Sequence, residues 1–373
     1  MGRKGGVPIT TAVLDWAIAE SGLSLSEVAA GIGVEERDVE AWRSGDVKPA
    51  TTELRRLAKK LHRQLAVFLL PAVPDSPRLH VRFRHPIGTQ RVRELTDGER
   101  RFLRRAKRLQ DAQAWLVTEL DREPPNMPQV SIGTNAASIA NAWRERLGVA
   151  IETQLAWRSA SVAFDAWRSA VEALAITAVQ FPMGPKACRG FSLWDDSAPL
   201  IAVNTAWTDE ARSFTLFHEF GLLLTRTDSA CASAPATVDT GDSTERWCEA
   251  FAAAVLIPAS ALVSVPRVDT LAPLSTLARR FKTSLRATAL RLIELEKASW
   301  ALYDLIPPVA DSKKGGGGGT GRNRREIRED EFGRRTTEMF VSAVKRDIMS
   351  ESQALDYLDI PSSEFERLAS VAS

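Results

Sequence analysis

The sequence predicts an α+β protein assembled from successive pieces, and three observations carry that prediction. Residues 8–61 show helical apolar spacing with no strand-like alternation. Short β-type runs are confined to residues 175–203, with helical patterns resuming on either side. Five consecutive glycines within 311–324, with Lys and Arg on both sides, set off a last helical piece. The expected layout starts with an all-α domain over 1–73 and a basic connecting arm with a long helix over 74–127. An α+β domain with a small sheet follows over 128–310, then a flexible glycine linker over 311–324 and a helical tail over 325–373.

Composition fits that layout. At 373 residues the chain is too long for one ordinary domain, and 44% apolar with 26% charged residues describes a globular protein with ample core. The formal net charge is +2, so any nucleic-acid contact must come from local patches. Cys188, Cys231 and Cys248 have no paired spacing, and a reduced cytoplasmic setting is the expectation. The N-terminus has no hydrophobic signal core, and no run approaches the roughly 20 apolar residues of a membrane span.

In the first piece, the helix Ile9–Glu20 puts Val13, Leu14, Ala17 and Ile18 on one face. A Ser cap opens a second short helix, which breaks at Gly33. Glu35–Ser44 follows with Val39 and Trp42 inward, and Thr51–Leu61 closes the set with Leu54, Leu57, Ala58 and Leu61. Ser26-Glu-Val-Ala, Ile32-Gly-Val, Val39-x-x-Trp42-x-x-Gly45 and Lys48-Pro-Ala together resemble the XRE-type helix-turn-helix of phage-repressor-like proteins. The resemblance implies DNA binding, for which Arg37, Arg43 and Lys48 are the candidate side chains. Against it, the groove-entering helix begins with Glu35, Glu36 and Asp38, and over Met1–His62 nine Lys/Arg face nine Asp/Glu. The alternative is a docking or dimerisation domain that keeps the shape without the DNA contact.

Pro71, Pro74, Pro77 and Pro86 mark 71–96 as a connecting segment. A long helix then runs from Asp97 to about Leu120, with Phe102, Ala106, Leu109, Ala112 and Leu116 at helical spacing. Between Arg78 and Arg108 there are eleven Lys/Arg against three Asp/Glu. That run is either a solvated face or a contact for nucleic acid or an acidic partner.

After Pro124-Pro-Asn-Met-Pro128, helices are expected over Ser138–Leu147 and Ile151–Val171. Strands are expected over Ala175–Val179, Arg189–Trp194 and Pro199–Val203, with the turn signal Asp195-Asp-Ser-Ala making the last two part of a hairpin or meander. A loop over Asp228–Ser243 separates two further helices, around Arg212–Leu224 and over Thr244–Val255. The first of these carries His218-Glu219, four-fifths of H-E-x-x-H, in which two histidines one turn apart bind zinc and the glutamate activates the metal-bound water. The second histidine position is Leu222.

Gly190-Phe-Ser, Ile201-Ala-Val-Asn204, Arg212-x-Phe-Thr-Leu-Phe-His-Glu-Phe-Gly-x-Leu-Leu224 and Glu245-Arg-Trp-Cys-Glu-Ala-Phe-Ala-Ala-Ala-Val-Leu-Ile-Pro258 occur in order. Together they resemble the ImmA/IrrE family of zinc metallopeptidases over Pro128 to about Asp304. The resemblance implies a zincin-like α+β fold. It also implies an intracellular protease that cleaves a helix-turn-helix repressor, or, in members fused to a helix-turn-helix, an antitoxin beside its toxin. It assigns zinc ligation to His218, the residue at 222 and Glu245, and the proton-transfer role to Glu219. Leucine cannot coordinate a metal, and the chain's other histidines, His62, His80 and His85, belong to earlier pieces. Glu249, one turn after Glu245, is a candidate replacement ligand, and Cys231 or Cys248 could supply a thiolate.

The resulting expectation is a cytoplasmic regulator, antitoxin-like or transcriptional, with an inactive or weak zincin-like metallopeptidase domain used for partner binding or sensing. Its expected partners are DNA, a protein such as a repressor or toxin, and a second copy of the chain. The competing reading is a working zinc endopeptidase that cuts a helix-turn-helix repressor or other partner. The helices over 270–297 read as cover for the core, and the tail, with a Ser350–Gln353 capping box, reads as a tethered helical module with reach.

Overall fold

The computed structural model describes residues 6–21, 23–61, 63, 65–73, 97–226, 240–307, 324–358 and 360–369. The proline-rich stretch from Pro74 with its basic arm, the linker glycines, His62, His80, His85 and Cys231 lie outside the described residues. The fold class is α+β, with many helices around one three-stranded mixed sheet. By internal contacts the chain divides into two compact units.

The first unit comprises Met1–Arg78 and Val92–Arg105. It holds α1 (Thr11–Ser21), α2 (Leu25–Ile32), α3 (Glu36–Ser44), α4 (Thr51–Lys60) and a 3-10 turn at Leu65–Leu69. A reciprocal cap opens α2: Glu27 N–H donates to Ser24 Oγ at 3.3 Å, and Ser24 N–H donates to Glu27 Oε2 at 2.8 Å. Gly33, left-handed at φ 75°, ends α2, and the chain re-enters helix within a few residues. Leu14, Val28, Ile32, Val39, Trp42, Leu54, Leu57 and Phe68 belong to the core, and helical spacing predicts Leu14, Val39, Trp42, Leu54 and Leu57 among them. Each such side chain contributes about 1.5–3 kcal/mol of transfer free energy when buried.

A long helix, α5 (Asp97–Glu119), starts in the first unit and continues into the second. The second unit, Leu79–Arg91 and Ala106–Ser373, then contains α6 (Ala136–Leu147), α7 (Ile151–Ala156) and α8 (Ala160–Ala173). The single helix expected over Ile151–Val171 is thus broken. Trp157 turns to extended backbone and packs edge-on against Trp167, and Ser159 caps a new start by accepting from Val162 N–H.

The strands are β1 (Thr177–Phe181), β2 (Gly190–Leu193) and β3 (Leu200–Asn204), ordered β1-β3-β2. β2 and β3 form the expected antiparallel hairpin, while β1 pairs parallel to β3. Ala175, at φ 65°, is the turn that delays β1 beyond its expected start. Every strand residue is buried. Next come α9 (Asp209–Thr225) and α10 (Thr240–Leu256), the latter starting inside the span expected as loop. Then follow α11 (Leu271–Phe281), α12 (Leu285–Glu294) and α13 (Trp300–Asp304).

The tail forms α14 (Arg324–Lys345), α15 (Glu351–Leu358) and α16 (Ser362–Ala369). It does not stand off as a module with reach, because α14 packs on β1 and α8. Arg168 of α8 donates to Ala178 O of β1 at 2.8 Å and to Asp330 O of the tail at 2.5 Å, while Gln180 Nε2 reaches the same Asp330 carbonyl at 2.8 Å. Gly333 kinks α14 at φ 79°, ψ 163°. Beyond the kink, Arg334 and Arg335 N–H donate to the buried Glu172 carboxylate at 3.2 and 3.4 Å, so α8 caps the restarted helix. These contacts join side chains far apart in sequence, and no local pattern announces them.

Candidate functional site

Two helices and one strand build the site. Thr208 opens α9, its hydroxyl accepting from Ala211 N–H at 3.4 Å. At the other end left-handed Arg226 caps α9, its guanidinium donating to Leu223 O and lying over the Trp194 ring. α10 is anchored at its C-terminal carbonyls. Arg144 donates to Val255 O at 2.5 Å, Gln154 to Leu256 O at 2.7 Å, and Arg291 to Ile257 O at 3.0 Å. Burial pulls the Arg144 guanidinium down to about 10, a shift that leaves it a cation at neutral pH.

Aromatic packing fixes the helices side by side. Trp143 and Trp167 meet Phe220 and Phe217 edge-on at 5.0 Å each, and Phe220 stacks on Phe251 at 6.0 Å. The helices approach closely at Gly221, where an added Cβ would come within 3.1 Å of Cys248 Sγ. On the sheet side, a Cβ at Gly190 would come within 2.5 Å of Thr215 Cγ2 and 2.7 Å of Ala202 O. Only glycine lets α9 lie this near β2.

That approach places the polar residues. His218 and Glu219 are fully buried. Ser192 Oγ, from β2, donates to Glu219 Oε2 at 2.9 Å. His218 Nε2 lies 3.2 Å from Glu245 Oε2 on α10, whose side chain is 28% exposed. The structure therefore brings two of the predicted site residues, His218 and Glu245, into contact, while Glu219, next to His218 in the chain, bonds Ser192. In the sequence Ser192 stands out only as part of the Gly190-Phe-Ser block, and its bond to Glu219 joins strand and helix in a way that spacing cannot show.

Glu249 is exposed on α10, and Cys248 is buried against α9 at Gly221. Among the described residues no group of three His, Cys, Asp or Glu side chains is placed to hold a metal. Leu222, one turn beyond His218, is 3% exposed and belongs to the main apolar cluster with Phe220, Leu223 and Trp143.

The comparisons meet the geometry here. Residues 171–292 match the peptidase M78 family model, the IrrE N-terminal-like domain. That span is about a third of the chain and holds all three strands, α9, α10 and α11 and most of α12. No curated protein and no solved structure matches the chain. The second unit thus contains a metallopeptidase-like domain of the IrrE type.

That family is typically zinc-associated. A catalytic zinc takes three protein ligands and keeps one position for water. This IrrE-like domain brings one imidazole and one carboxylate into contact and sets a buried hydrocarbon at the third position. Among the described residues, the donors present do not make up a catalytic zinc set. What they form is a direct His218–Glu245 pair beside a carboxylate held by a serine hydroxyl.

The predicted DNA contacts lie in the first unit. Arg37 Nε is 2.7 Å from Glu35 Oε2, and Arg43 Nε is 2.5 Å from Asp15 Oδ1, so carboxylates of the same unit engage both. Asp38 accepts from Glu35 N–H at 3.0 Å, which gives one acidic residue of α3 a capping role. Lys48 is exposed. Arg55, Arg56 and Lys59, exposed on α4, form a basic strip that no sequence motif singles out.

Proposed function

We propose that this chain is a regulatory protein, antitoxin-like or a transcriptional regulator, in which the IrrE-like domain holds a protein partner and does not cut it. The observation carrying this reading is Leu222, buried in the core at the position where the family resemblance expects a metal ligand. His218 Nε2 instead faces Glu245 Oε2 at 3.2 Å. A buried imidazole in contact with a partly exposed carboxylate links the helix pair without a metal. The partner in this reading is a helix-turn-helix repressor or a toxin, the class the family resemblance implies. The four-helix first unit acts as a helix-turn-helix that brings the protein to DNA.

Elemental mass spectrometry on the purified full chain tests the reading. The expected result is far less than one zinc per chain after incubation with the metal and desalting, unchanged by Glu245→Ala. Near-stoichiometric zinc that disappears in Glu245→Ala, with peptide cleavage abolished by Glu219→Gln, would instead establish the endopeptidase.

A further inference from the structure

A second feature of the IrrE-bearing unit is a cavity of about 470 Å³ lined by Arg158, Arg279 and Lys282. The three cations come from separate places: the α7–α8 connection, the last turn of α11 and the cap that follows α11. Among the described residues, none of the three has a carboxylate within ion-pairing distance, unlike Arg37, Arg43, Arg168 and Arg291. Three cations around one concavity repel each other unless an anion or counterions compensate them. Lys282 Nζ donates only to the Arg280 carbonyl, at 3.1 Å. Burial pulls its ammonium below the ordinary value, a loss that a neighbouring anion would reverse.

The rest of the lining favours the same charge. Ser159, Thr208 and Ser284 are the N-caps of α8, α9 and α12, and all three line the cavity. Each helix is ten residues or longer, so its first-turn N–H groups add partial positive charge there. Glu210 supplies the single carboxylate of the lining, a group suited to accept from ligand hydroxyls. The volume lies in the range of small-molecule sites, larger than a lone phosphate needs.

We propose that this cavity binds a small phosphorylated molecule, with Arg158, Arg279 and Lys282 holding the phosphate and Glu210 facing a hydroxyl-bearing part. The site is separate from His218 and Glu219, and the inference does not depend on the regulatory function proposed above. α9 begins at this cavity and carries His218 two turns later, so occupancy bears on the helix that organises the other site.

Isothermal titration calorimetry on the full chain, with inorganic pyrophosphate and adenosine 5′-monophosphate as probes, tests this. Saturable binding of at least one probe is expected, weakened about tenfold or more by Arg158→Gln with Lys282→Gln, since charge-assisted bonds to phosphate dominate. Tighter binding of the nucleotide would locate the hydroxyl contact, whereas pyrophosphate alone would restrict the site to free phosphates. Arg280→Gln, an exposed neighbour outside the lining, should leave affinity unchanged. Unchanged melting without ligand shows that the variants fold. Should Lys282→Gln unfold the chain, Arg158→Gln with Arg279→Gln, both at exposed positions, carries the same test. No binding of either probe at millimolar concentration overturns the proposal, as does equal weakening by Arg280→Gln.

Discussion

At the scale of single residues, Leu222 and Glu172 show what the second unit asks of its side chains. Leu222 serves the core where the family resemblance expects a ligand, so Leu222→Ala should cost about 2–5 kcal/mol in urea unfolding, the range for emptying a packed site. A change under about 0.5 kcal/mol, the scale of surface substitutions, would mean that the position is not core. Glu172 pairs with Arg168 at 3.2 Å, and both side chains are only 8% exposed. Burial raises its carboxyl above the ordinary 4.5, against the opposing pull of Arg168 and of the Arg335 and Arg334 N–H groups. Between the unfolded and folded values, the native chain keeps a proton that the unfolded chain has released. This group's contribution to stability is therefore fully present below the unfolded value and is lost as pH rises through the folded one. Denaturant midpoints measured across this range should fall less steeply with pH in Glu172→Gln than in the parent; equal slopes would rule out this titration as a contributor. The H-E-x-x-H pattern made His218 and Glu219 legible, and the family resemblance pointed to Glu245. Ser192 and Glu172 were not legible, since their roles exist only across contacts between elements.

At the scale of elements, local periodicity located α1–α4, the β2–β3 hairpin and α9 to within a few residues, because each has its own cap, break or turn signal. The parallel pairing of β1 and the docking of α14 have no such signals. Gly333 is where the second of these becomes testable. Its φ and ψ lie in a region essentially reserved for glycine, and a Cβ there would collide with Glu172 Oε1. Gly333→Ala should cost about 1–3 kcal/mol from the backbone alone and loosen the tail from the sheet. The consequence falls on β1, whose outer edge is covered by Arg168 and α14. An uncovered edge exchanges its amides and invites strand pairing from another chain. Hydrogen exchange should therefore rise in peptides spanning Thr177–Phe181 as well as in α14. A rise confined to α14 would show that the tail does not shield the strand.

At the scale of the whole molecule, a net charge of +2 leaves any DNA affinity to local cations, and the structure has already engaged some of them. Arg37 and Arg43 must exchange Glu35 and Asp15 for phosphates, while exposed Lys48 gives up no ion pair. Such exchange lowers affinity without removing the salt signature, because counterions released from DNA depend only on how many phosphates are neutralised. If all three side chains reach phosphates, log affinity should fall against log salt with a slope of about −3, from roughly −0.9 per contact. Fluorescence anisotropy of the full chain with a labelled duplex, titrated across salt, measures that slope. Lys48→Gln should reduce its magnitude by about 1, as should Arg43→Gln. The Arg43 change also removes an ion pair that binding has to break, so its loss of affinity should be smaller than that of the Lys48 change. No binding at low salt, or a slope that neither substitution moves, would leave the first unit as a helical docking domain without DNA contact. The IrrE-like domain would then have to reach its target through protein contacts alone.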